Sequence, residues 1–242
     1  MKELARILEL VEQGYISAQK HPEFDLTIYN YTQKASFDAL WVPETLMCRG
    51  LVMNSENKVI ARPFEKFFNY EQVPPEMIPN EPFELFIKMD GSLGIIFLYK
   101  GEPIVATRGS FKSDQAIKAR EILDKYPMFL KRMKEGTTYL AEILFPANRI
   151  VCDYGSAEKL VLLAIKDSET GDELSYENMF NEAYDMPVVA KVWDAEHRDF
   201  KALQSLNVDN EEGFVAKFKN GFRTKIKFED YCRMHSIITR VS

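Results

Sequence analysis

The dipeptide Asn220-Gly221 is the sequence feature that most restricts the fold of this chain. It separates two segments, 213–219 and 222–228, in which apolar side chains alternate with other residues. Asn-Gly favours the two-residue turn whose twist matches that of two paired strands, so the two segments are predicted to form an antiparallel hairpin. At least part of the molecule is therefore expected to be an antiparallel sheet.

Most of the remaining chain is typical of short strands with a few helices. Apolar, β-branched and aromatic residues predict strands at 25–31, 48–54, 58–62, 84–90, 93–99, 137–144 and 160–166. Apolar spacing and capping residues predict helices at 3–19, from the N-cap Ser113 to 126, and at 128–134. Turns rather than regularly alternating helices join the strands, which favours an α+β fold with antiparallel sheets flanked by helices. No repeat or flexible linker interrupts the pattern, and we predict a single domain over residues 1–242.

Composition excludes several classes of protein. No apolar run approaches 18 residues, so we expect no transmembrane helix, and the mixed charges of Lys2, Glu3 and Arg6 are unlike a signal peptide. The three cysteines are widely spaced and include no Cys-x-x-Cys pair, which favours a reducing compartment and a cytoplasmic location. The three histidines lack the spacing of a zinc site or of a Ser-His-Asp triad.

Charge is distributed unevenly along the chain. The net charge is −6, but the segment 213–240 contains seven basic and two acidic residues, a local +5 that leaves −11 for the rest. A basic segment on an acidic body favours a focused phosphate-binding site. An ordinary solvated pair of lysine-rich strands is the alternative that charge alone leaves open.

The segment Lys88-Met89-Asp90-Gly91 places a lysine at the end of an apolar strand, beside an acid and a glycine turn. A lysine amine is a nucleophile only when it is deprotonated, and burial or neighbouring cations favour that state. Gly91 leaves room for a ligand to approach the amine. Because Lys-x-Asp-Gly also occurs by chance, the segment alone does not decide between a nucleophile and an ordinary turn.

Four further charged residues suit a nucleotide site. Lys225 and Lys227 lie two residues apart on the second hairpin strand, so both are expected to point to one face. Two cations on one face suit a polyphosphate, although lysines also protect exposed edge strands from aggregation. Glu142 interrupts an apolar strand, which predicts either a carboxylate that lines a pocket or a salt bridge to a neighbouring strand. Glu212 precedes the first hairpin strand.

Two single cations stand among apolar residues in the first third of the chain. Arg49 lies in Cys48-Arg49-Gly50, and Lys66 precedes Phe67-Phe68-Asn69. An arginine offers two parallel donors to a phosphate or a carboxylate, and a lysine offers a point charge. The two phenylalanines are predicted to be core residues rather than platforms for base stacking.

The order of these motifs resembles the covalent nucleotidyltransferases, which comprise ATP-dependent RNA and DNA ligases and mRNA capping enzymes. In detail the sequence looks most like the T4-type RNA ligase 1 family, over about residues 29–231. The motifs that carry the resemblance are Cys48-Arg49-Gly50, Lys66-Phe67-Phe68-Asn69, Lys88-Met89-Asp90-Gly91-Ser92-Leu93, Glu142, Glu212-Gly213-Phe214-Val215 and Lys225-Ile226-Lys227 with Tyr231. DNA ligases and capping enzymes typically carry arginine where Leu93 stands, which counts against those groups.

The resemblance implies a nucleotidyltransferase (adenylyltransferase) fold and a set of catalytic residues. Lys88 would attack the α-phosphate of ATP and form a lysyl-AMP intermediate, while Lys225 and Lys227 would hold that phosphate. Glu142, a catalytic residue in this family, would bind the ribose or position a metal-bound water, and Glu212 would help to bind the catalytic Mg²⁺ or the lysine. Both glutamates would hold the metal through water, with Mn²⁺ as a substitute. The other nucleotide-binding positions that the family implies are Tyr31, Arg49, Lys66 and Tyr231.

The implied product is a sealed RNA. AMP would pass to a 5′-phosphate and a 3′-hydroxyl would then complete the joint, as in RNA or tRNA repair. The chain ends eleven residues after Tyr231, so no OB-fold or other C-terminal accessory domain is expected, and we expect a monomer. A DNA ligase, a capping-type nucleotidyltransferase and a non-catalytic nucleotide- or RNA-binding module remain as alternatives.

Overall fold

Helices and strands alternate irregularly along the part of the chain that the computed structural model describes, residues 2–192 and 199–241. The strands are β1 (Ile16–Lys20), β2 (Leu26–Tyr31), β3 (Arg49–Asn54), β4 (Val59–Ala61), β5 (Phe83–Ile87), β6 (Ser92–Tyr99), β7 (Glu102–Ala106), β8 (Thr137–Leu144), β9 (Lys159–Asp167), β10 (Lys191–Val192), β11 (Gly213–Phe218) and β12 (Arg223–Lys227). The helices are α1 (Lys2–Glu12), α2 (Gln33–Phe37), α3 (Pro43–Met47), α4 (Asp114–Leu123), α5 (Pro127–Arg132), α6 (Tyr176–Glu182), α7 (Phe200–Gln204) and α8 (Glu229–Val241). This irregular order agrees with the predicted α+β class.

The hairpin predicted around Asn220-Gly221 is confirmed, but its turn has three residues, 219–221, and not two, because the Phe218 amide donates to the Phe222 carbonyl at 2.8 Å. Strands β11 and β12 pair antiparallel, with Gly213 opposite Lys227. The Asn220 side chain accepts a hydrogen bond from the Phe222 amide at 2.9 Å, and Gly221 has a φ of +88°, a value that favours glycine.

This hairpin belongs to a four-stranded antiparallel sheet in the order β10-β5-β11-β12. The sheet is part of a compact unit, named the hairpin unit here, which contains residues 67–91 and 144–158 and the described residues from 189 onward. Its core is largely aromatic, and the rings of Phe214 and Phe228 meet edge to face at 5.2 Å. Such pairs stabilise a core beyond the apolar area that they bury.

The second compact unit, named the sheet-pair unit here, contains residues 2–66, 92–143 and 159–188. Its first sheet has the order β1-β2-β3-β4, is antiparallel throughout, and shares a buried cluster with Ile7 and Leu10 of α1. Its second sheet has the order β7-β6-β8-β9, in which β6 pairs antiparallel with β7 and with β8. Helix α4 buries Ala119 and Ile122 and contacts strands of this second sheet.

The two apolar strands that flank Gly91 belong to different sheets. Strand β5 pairs with β10 and β11, whereas β6 pairs with β7 and β8. The chain therefore leaves the hairpin unit at Gly91 and enters the sheet-pair unit at Ser92. The single domain over residues 1–242 stays a prediction.

The predicted N-terminal helix is too long, because α1 ends at Glu12 and not near residue 19. Gly14 has a φ of +78°, and the amides of Gly14 and Tyr15 donate back to the carbonyls of Val11 and Leu10 at 3.0 and 2.8 Å. These two bonds form a Schellman motif, which ends a helix at a glycine. The residues that follow continue as strand β1.

Helix α4 begins as predicted. The Ser113 hydroxyl accepts a hydrogen bond from the Ala116 amide at 3.2 Å, so Ser113 is the N-cap. Within the described residues, no helix combines the length and the apolar character that a bilayer crossing requires.

Burial predicts the reactivity of the three thiols. Cys48 and Cys152 are buried, whereas Cys232 is exposed on α8. Burial is the main factor that raises the pKa of Cys152 to about 12, and it also raises the pKa of Cys232, so alkylation should accelerate as the pH increases. We expect iodoacetamide to modify Cys232 alone in the native protein and all three thiols after denaturation, as measured by mass spectrometry. Native labelling of Cys48 or Cys152 would contradict this packing.

A methyl group at Gly213 should disrupt the register of the hairpin. Gly213 has a φ of +139°, and a Cβ there would overlap the Ile226 carbonyl oxygen and lie 2.9 Å from the Lys227 Cα. Gly213→Ala is therefore expected to lower the free energy of unfolding by about 3 kcal/mol or more, measured by urea denaturation. Gly221→Ala is the matched control, since nothing lies within 4 Å of its Cβ, and we expect it to lose only about 1–2 kcal/mol. Equal losses of unfolding free energy in the two variants would show that the steric overlap at Gly213 does not cause the loss.

Candidate active site

Lys88 follows β5 directly and is held at one end of the sheet in the hairpin unit. Its amide donates to the Gly213 carbonyl at 2.8 Å, which extends the pairing of β5 with β11 by one residue. Lys227 lies opposite Gly213 on the other side of β11. Directly opposed residues project to the same face of a sheet, and Gly213 has no side chain, so the two lysines face each other across an open position.

Both lysines bind the same carboxylate. Lys88 Nζ lies 2.7 Å from Glu212 Oε2, and Lys227 Nζ lies 2.8 Å from Glu212 Oε1. Glu212 is only 3% exposed, while the lysine side chains are about one fifth to one quarter exposed. A buried carboxylate is costly unless it is paired, and here two ammonium groups compensate one negative charge. Because the amines are partly open to solvent, an anion can reach them from there.

Lys225 shares a face with Lys227, as the sequence predicts. Residues of β12 alternate between buried and half-buried, with Thr224 and Ile226 buried and the lysines on the other face. The Lys225 amide donates to the Phe68 carbonyl at 3.0 Å, and its Nζ lies 5.2 Å from the centre of the Phe67 ring. The segment 67–69 therefore positions Lys225 from beside the strand.

Asp90 anchors the turn that follows Lys88. The carboxylate is 3% exposed and accepts hydrogen bonds from Tyr231 OH at 2.7 Å and from the amides of Val151 and Cys152 at 2.8 Å each. The Asp90 amide in turn donates to Tyr154 OH at 2.9 Å. Because these donors come from α8 and from the segment 151–154, the acid of the Lys-x-Asp-Gly motif joins the lysine turn to two distant parts of the chain.

Two groups near Lys88 are held in their protonated forms. Burial, the negative charge of Glu212 and the hydrogen bond to Asp90 raise the pKa of Tyr231 well above its usual value. Burial and the nearby Asp90 charge raise the pKa of the Cys152 thiol to about 12. Tyr231 is therefore a hydrogen-bond donor at neutral pH, and Cys152 is a neutral packing residue rather than a thiolate nucleophile.

The sheet-pair unit contains a second cluster, named the cation–aromatic cluster here, which consists of Tyr31, Trp41, Lys66 and Arg108. Tyr31 ends β2, and its hydroxyl accepts a hydrogen bond from Arg108 Nη1 at 3.0 Å. Lys66 Nζ lies 5.3 Å from the Tyr31 ring centre and 4.6 Å from that of Trp41. The two rings meet edge to face at 5.3 Å. This arrangement holds cations by cation–π attraction, which does not neutralise their charge.

Arg49 and Glu142 belong to the electrostatic surroundings of this cation–aromatic cluster. Burial is the main factor that lowers the pKa of Arg49, and the nearby charge of Arg108 adds to it, whereas Tyr31 and Glu142 oppose the shift. A guanidinium remains charged at any physiological pH even so. Glu142 is buried on β8, opposite Leu93 of β6. It supplies a carboxylate to the otherwise cationic surroundings of Arg49.

The structure thus gathers the predicted site residues into two sets. In the hairpin unit these are Lys88, Glu212, Lys225, Lys227 and Tyr231, and in the sheet-pair unit they are Tyr31, Arg49, Lys66 and Glu142. Sequence reasoning missed Arg108, Trp41 and Tyr154, and it gave Asp90 no anchoring role. Arg108 had a usable signal, because it precedes a glycine as Arg49 does.

The charged side chains of the hairpin unit suit an anionic ligand. Among the described residues, no group of three or more His, Cys, Asp or Glu side chains could hold a metal ion; His197 lies outside them. The hairpin unit offers half-buried amines beside a carboxylate, which suits nucleophilic attack on a phosphate.

Comparisons with known proteins agree with this chemistry. A protein of Autographa californica nuclear polyhedrosis virus, provisionally named a bifunctional polynucleotide kinase/RNA ligase, is 28% identical over 95% of this chain and 36% of that protein. A Thermovibrio ammonificans protein provisionally named an RNA ligase is 29% identical over 86% of this chain and 56% of that protein. This chain therefore spans between about one third and somewhat over one half of the length of these relatives.

The fold matches solved structures as well. An archaeal ATP-dependent RNA ligase superposes with a TM-score of 0.66 at 16% identity, over 94% of this chain and 62% of that chain. The predicted nucleotidyltransferase fold is thus confirmed. The family model described as RNA ligase, of the T4 type 1 group, matches residues 47–231, which is about three quarters of the chain. Because that match spans the motifs from Arg49 to Tyr231, the chain belongs to this RNA ligase family.

Proposed function

We propose that this protein is an ATP-dependent RNA ligase that joins 5′-phosphate and 3′-hydroxyl ends of RNA. The observation that carries the proposal is the pair of amines, Lys88 Nζ and Lys227 Nζ, that share the buried carboxylate of Glu212 at 2.7 and 2.8 Å. Membership of the RNA ligase family supports the same activity. The three free thiols support a cytoplasmic site of action.

The first step joins AMP to Lys88. The Lys88 amine loses a proton and attacks the α-phosphorus of ATP, so that an N–P bond forms, the bond to the β-phosphate oxygen breaks and pyrophosphate leaves. Glu212 Oε2, at 2.7 Å from Nζ, is the acceptor that lies ready for the proton. Lys225 and Lys227 stabilise the negative charge that develops on the phosphate oxygens.

The cation–aromatic cluster supplies binding rather than covalent chemistry. Tyr31, Arg49 and Lys66 bind the ribose and the phosphates of ATP, and Arg108 adds a second guanidinium to this set. The Tyr31 hydroxyl already accepts from Arg108 at 3.0 Å, so the ring orients that guanidinium. Glu142 binds the ribose hydroxyls as an acceptor.

Magnesium fits these residues only as an ion that accompanies the nucleotide. Both oxygens of Glu212 already accept from ammonium groups, so Glu212 would hold the ion through water. When bound, Mg²⁺ neutralises charge on the phosphates, and Mn²⁺ has the same preference for oxygen ligands.

Two further transfers complete the reaction. The RNA 5′-phosphate oxygen attacks the phosphorus of lysyl-AMP, which breaks the N–P bond and returns the amine of Lys88. The 3′-hydroxyl of the second end then attacks the activated 5′-phosphorus, forms the phosphodiester and releases AMP. In-line displacement of this kind depends mainly on positioning and charge neutralisation, which the lysines of β12 supply.

Self-adenylylation is the direct test. We expect label from α-³²P-ATP to stay on the protein through denaturing electrophoresis. Lys88→Ala and Lys88→Arg should both reduce the label to background, because alanine has no amine and a guanidinium stays protonated. Lys227→Ala should slow labelling by about 10²–10³-fold. Lys219→Ala, an exposed lysine of the same hairpin, is the matched control and should label normally.

The outcome also separates the competing activities. Label from GTP alone would indicate capping chemistry, and label with no sealing of nicked or single-stranded RNA would indicate a different acceptor. A folded wild-type protein that takes no label from either nucleotide would show that the chain is a binding module.

The anchoring of Asp90 gives a second test. Tyr231→Phe removes the donor at 2.7 Å from a buried carboxylate, so we expect the free energy of unfolding to fall by about 1–3 kcal/mol. The adenylylation rate should fall too, because the turn after Lys88 loses one of its attachments. Tyr184→Phe removes an exposed hydroxyl and is the control for both measurements. Wild-type stability and rate in Tyr231→Phe would refute the anchoring role.

A further inference from the structure

Phe37, the last residue of α2, presents almost its whole side chain to solvent. It is 91% exposed, and the next most exposed large apolar side chain among the described residues is Met77 at 62%. Single exposed apolar residues are common on protein surfaces. The surroundings of Phe37 are what make this one informative.

The exposed ring lies on residues 32–41, named the excursion here, and both ends of this segment lie at the cation–aromatic cluster. The chain leaves the cluster at Tyr31, forms α2 and returns at Trp41, and the rings of these two residues meet at 5.3 Å. Trp41 follows Phe37 by four residues, and its ring centre lies 4.6 Å from Lys66 Nζ. The exposed apolar ring is therefore close along the chain to a residue that contacts a cation.

The excursion is held firmly by the turn that follows α1. Thr32 Oγ1 donates to the Gly14 carbonyl and Lys34 Nζ to the Gln13 carbonyl, each at 2.8 Å, and Tyr15 OH donates to Asp38 Oδ2 at 3.0 Å. These bonds hold α2 on both sides of Phe37. The outward position of the ring is therefore built in, and binding a partner there costs little ordering of the chain.

Cations next to an exposed aromatic ring are a combination that recognises single-stranded nucleic acid. The cations contact backbone phosphates, and the ring stacks on a base without regard to its sequence. In the reaction proposed above, pyrophosphate leaves before RNA is sealed, so cations that held ATP phosphates become available to RNA phosphates. An isolated exposed ring with no cations nearby would lack this second contact.

We propose that Phe37 is a stacking platform for an unpaired nucleobase of the RNA substrate, next to the cations that contact its phosphates. The proposal rests on the RNA ligase function argued above. It assigns the excursion 32–41 a role in RNA binding and leaves the attack of Lys88 on ATP unchanged.

The test compares four variants in two assays. Phe37→Ala and Phe37→Leu should raise the KM for single-stranded RNA in sealing by about 5- to 100-fold, the range expected for one lost base stack, whereas Phe37→Trp should keep it near the wild-type value. Phe180→Ala on α6 is the matched control, because Phe180 is a 61% exposed phenylalanine of the same unit outside the excursion, and its KM should not change. All four variants should take label from ATP at the wild-type rate, since that step involves no RNA.

A direct titration makes the result independent of sealing. Single-stranded oligoadenylate should quench the added tryptophan fluorescence of Phe37→Trp and leave that of Phe180→Trp unchanged. A wild-type KM in Phe37→Ala, or in Phe37→Leu, would overturn the stacking proposal. Absence of label on the wild-type protein would instead overturn the ligase function, and in that case the titration still decides whether Phe37 binds an unpaired base.

Discussion

The buried carboxylate of Glu212 is the interaction on which the rest of the hairpin unit depends. Removing a carboxylate from water costs several kcal/mol unless opposite charges compensate it, and here Lys88 and Lys227 occupy its two oxygens. Both lysines reach it only when β5, β11 and β12 are paired in one register, with Gly213 between them. A shift of that register by one residue would turn the lysines to the other face and leave the carboxylate buried without partners. The register that pairs the three strands is therefore also the register that places the Lys88 amine at Glu212.

Asp90 applies a different constraint to the same lysine. Among the described residues its carboxylate accepts from three neutral donors, two amides and the Tyr231 hydroxyl, and these bonds bring no positive charge to it. That charge helps to keep Tyr231 and Cys152 protonated. Neutral donors fix the turn after Lys88 through Asp90, while Glu212 holds the amine itself. Asp90 thus positions the backbone, and in the proposed reaction Glu212 accepts the proton.

The sequence predicted those features whose signals are local. Asn220-Gly221 indicated the hairpin, a spacing of two indicated that Lys225 and Lys227 share a face, and Ser113 marked the start of α4. The partners of Asp90 could not be predicted in this way, because Val151 and Tyr231 are 61 and 141 residues distant and only packing brings them to it. Arg108 joins Tyr31 over 77 residues for the same reason. The helix that was predicted too long shows the converse error, since apolar periodicity outweighed the glycine at position 14.

The two clusters hold their cations by different interactions, and this difference fits the tasks proposed for them. In the hairpin unit, a carboxylate compensates part of the charge, which orients the amine of Lys88 and offers its proton an acceptor. In the cation–aromatic cluster, Lys66 and Arg108 lie against the Tyr31 ring, which orients them. A polyphosphate carries several negative charges and binds where several cations lie together. The nucleophile needs a proton acceptor instead, because its amine must lose a proton before it can react.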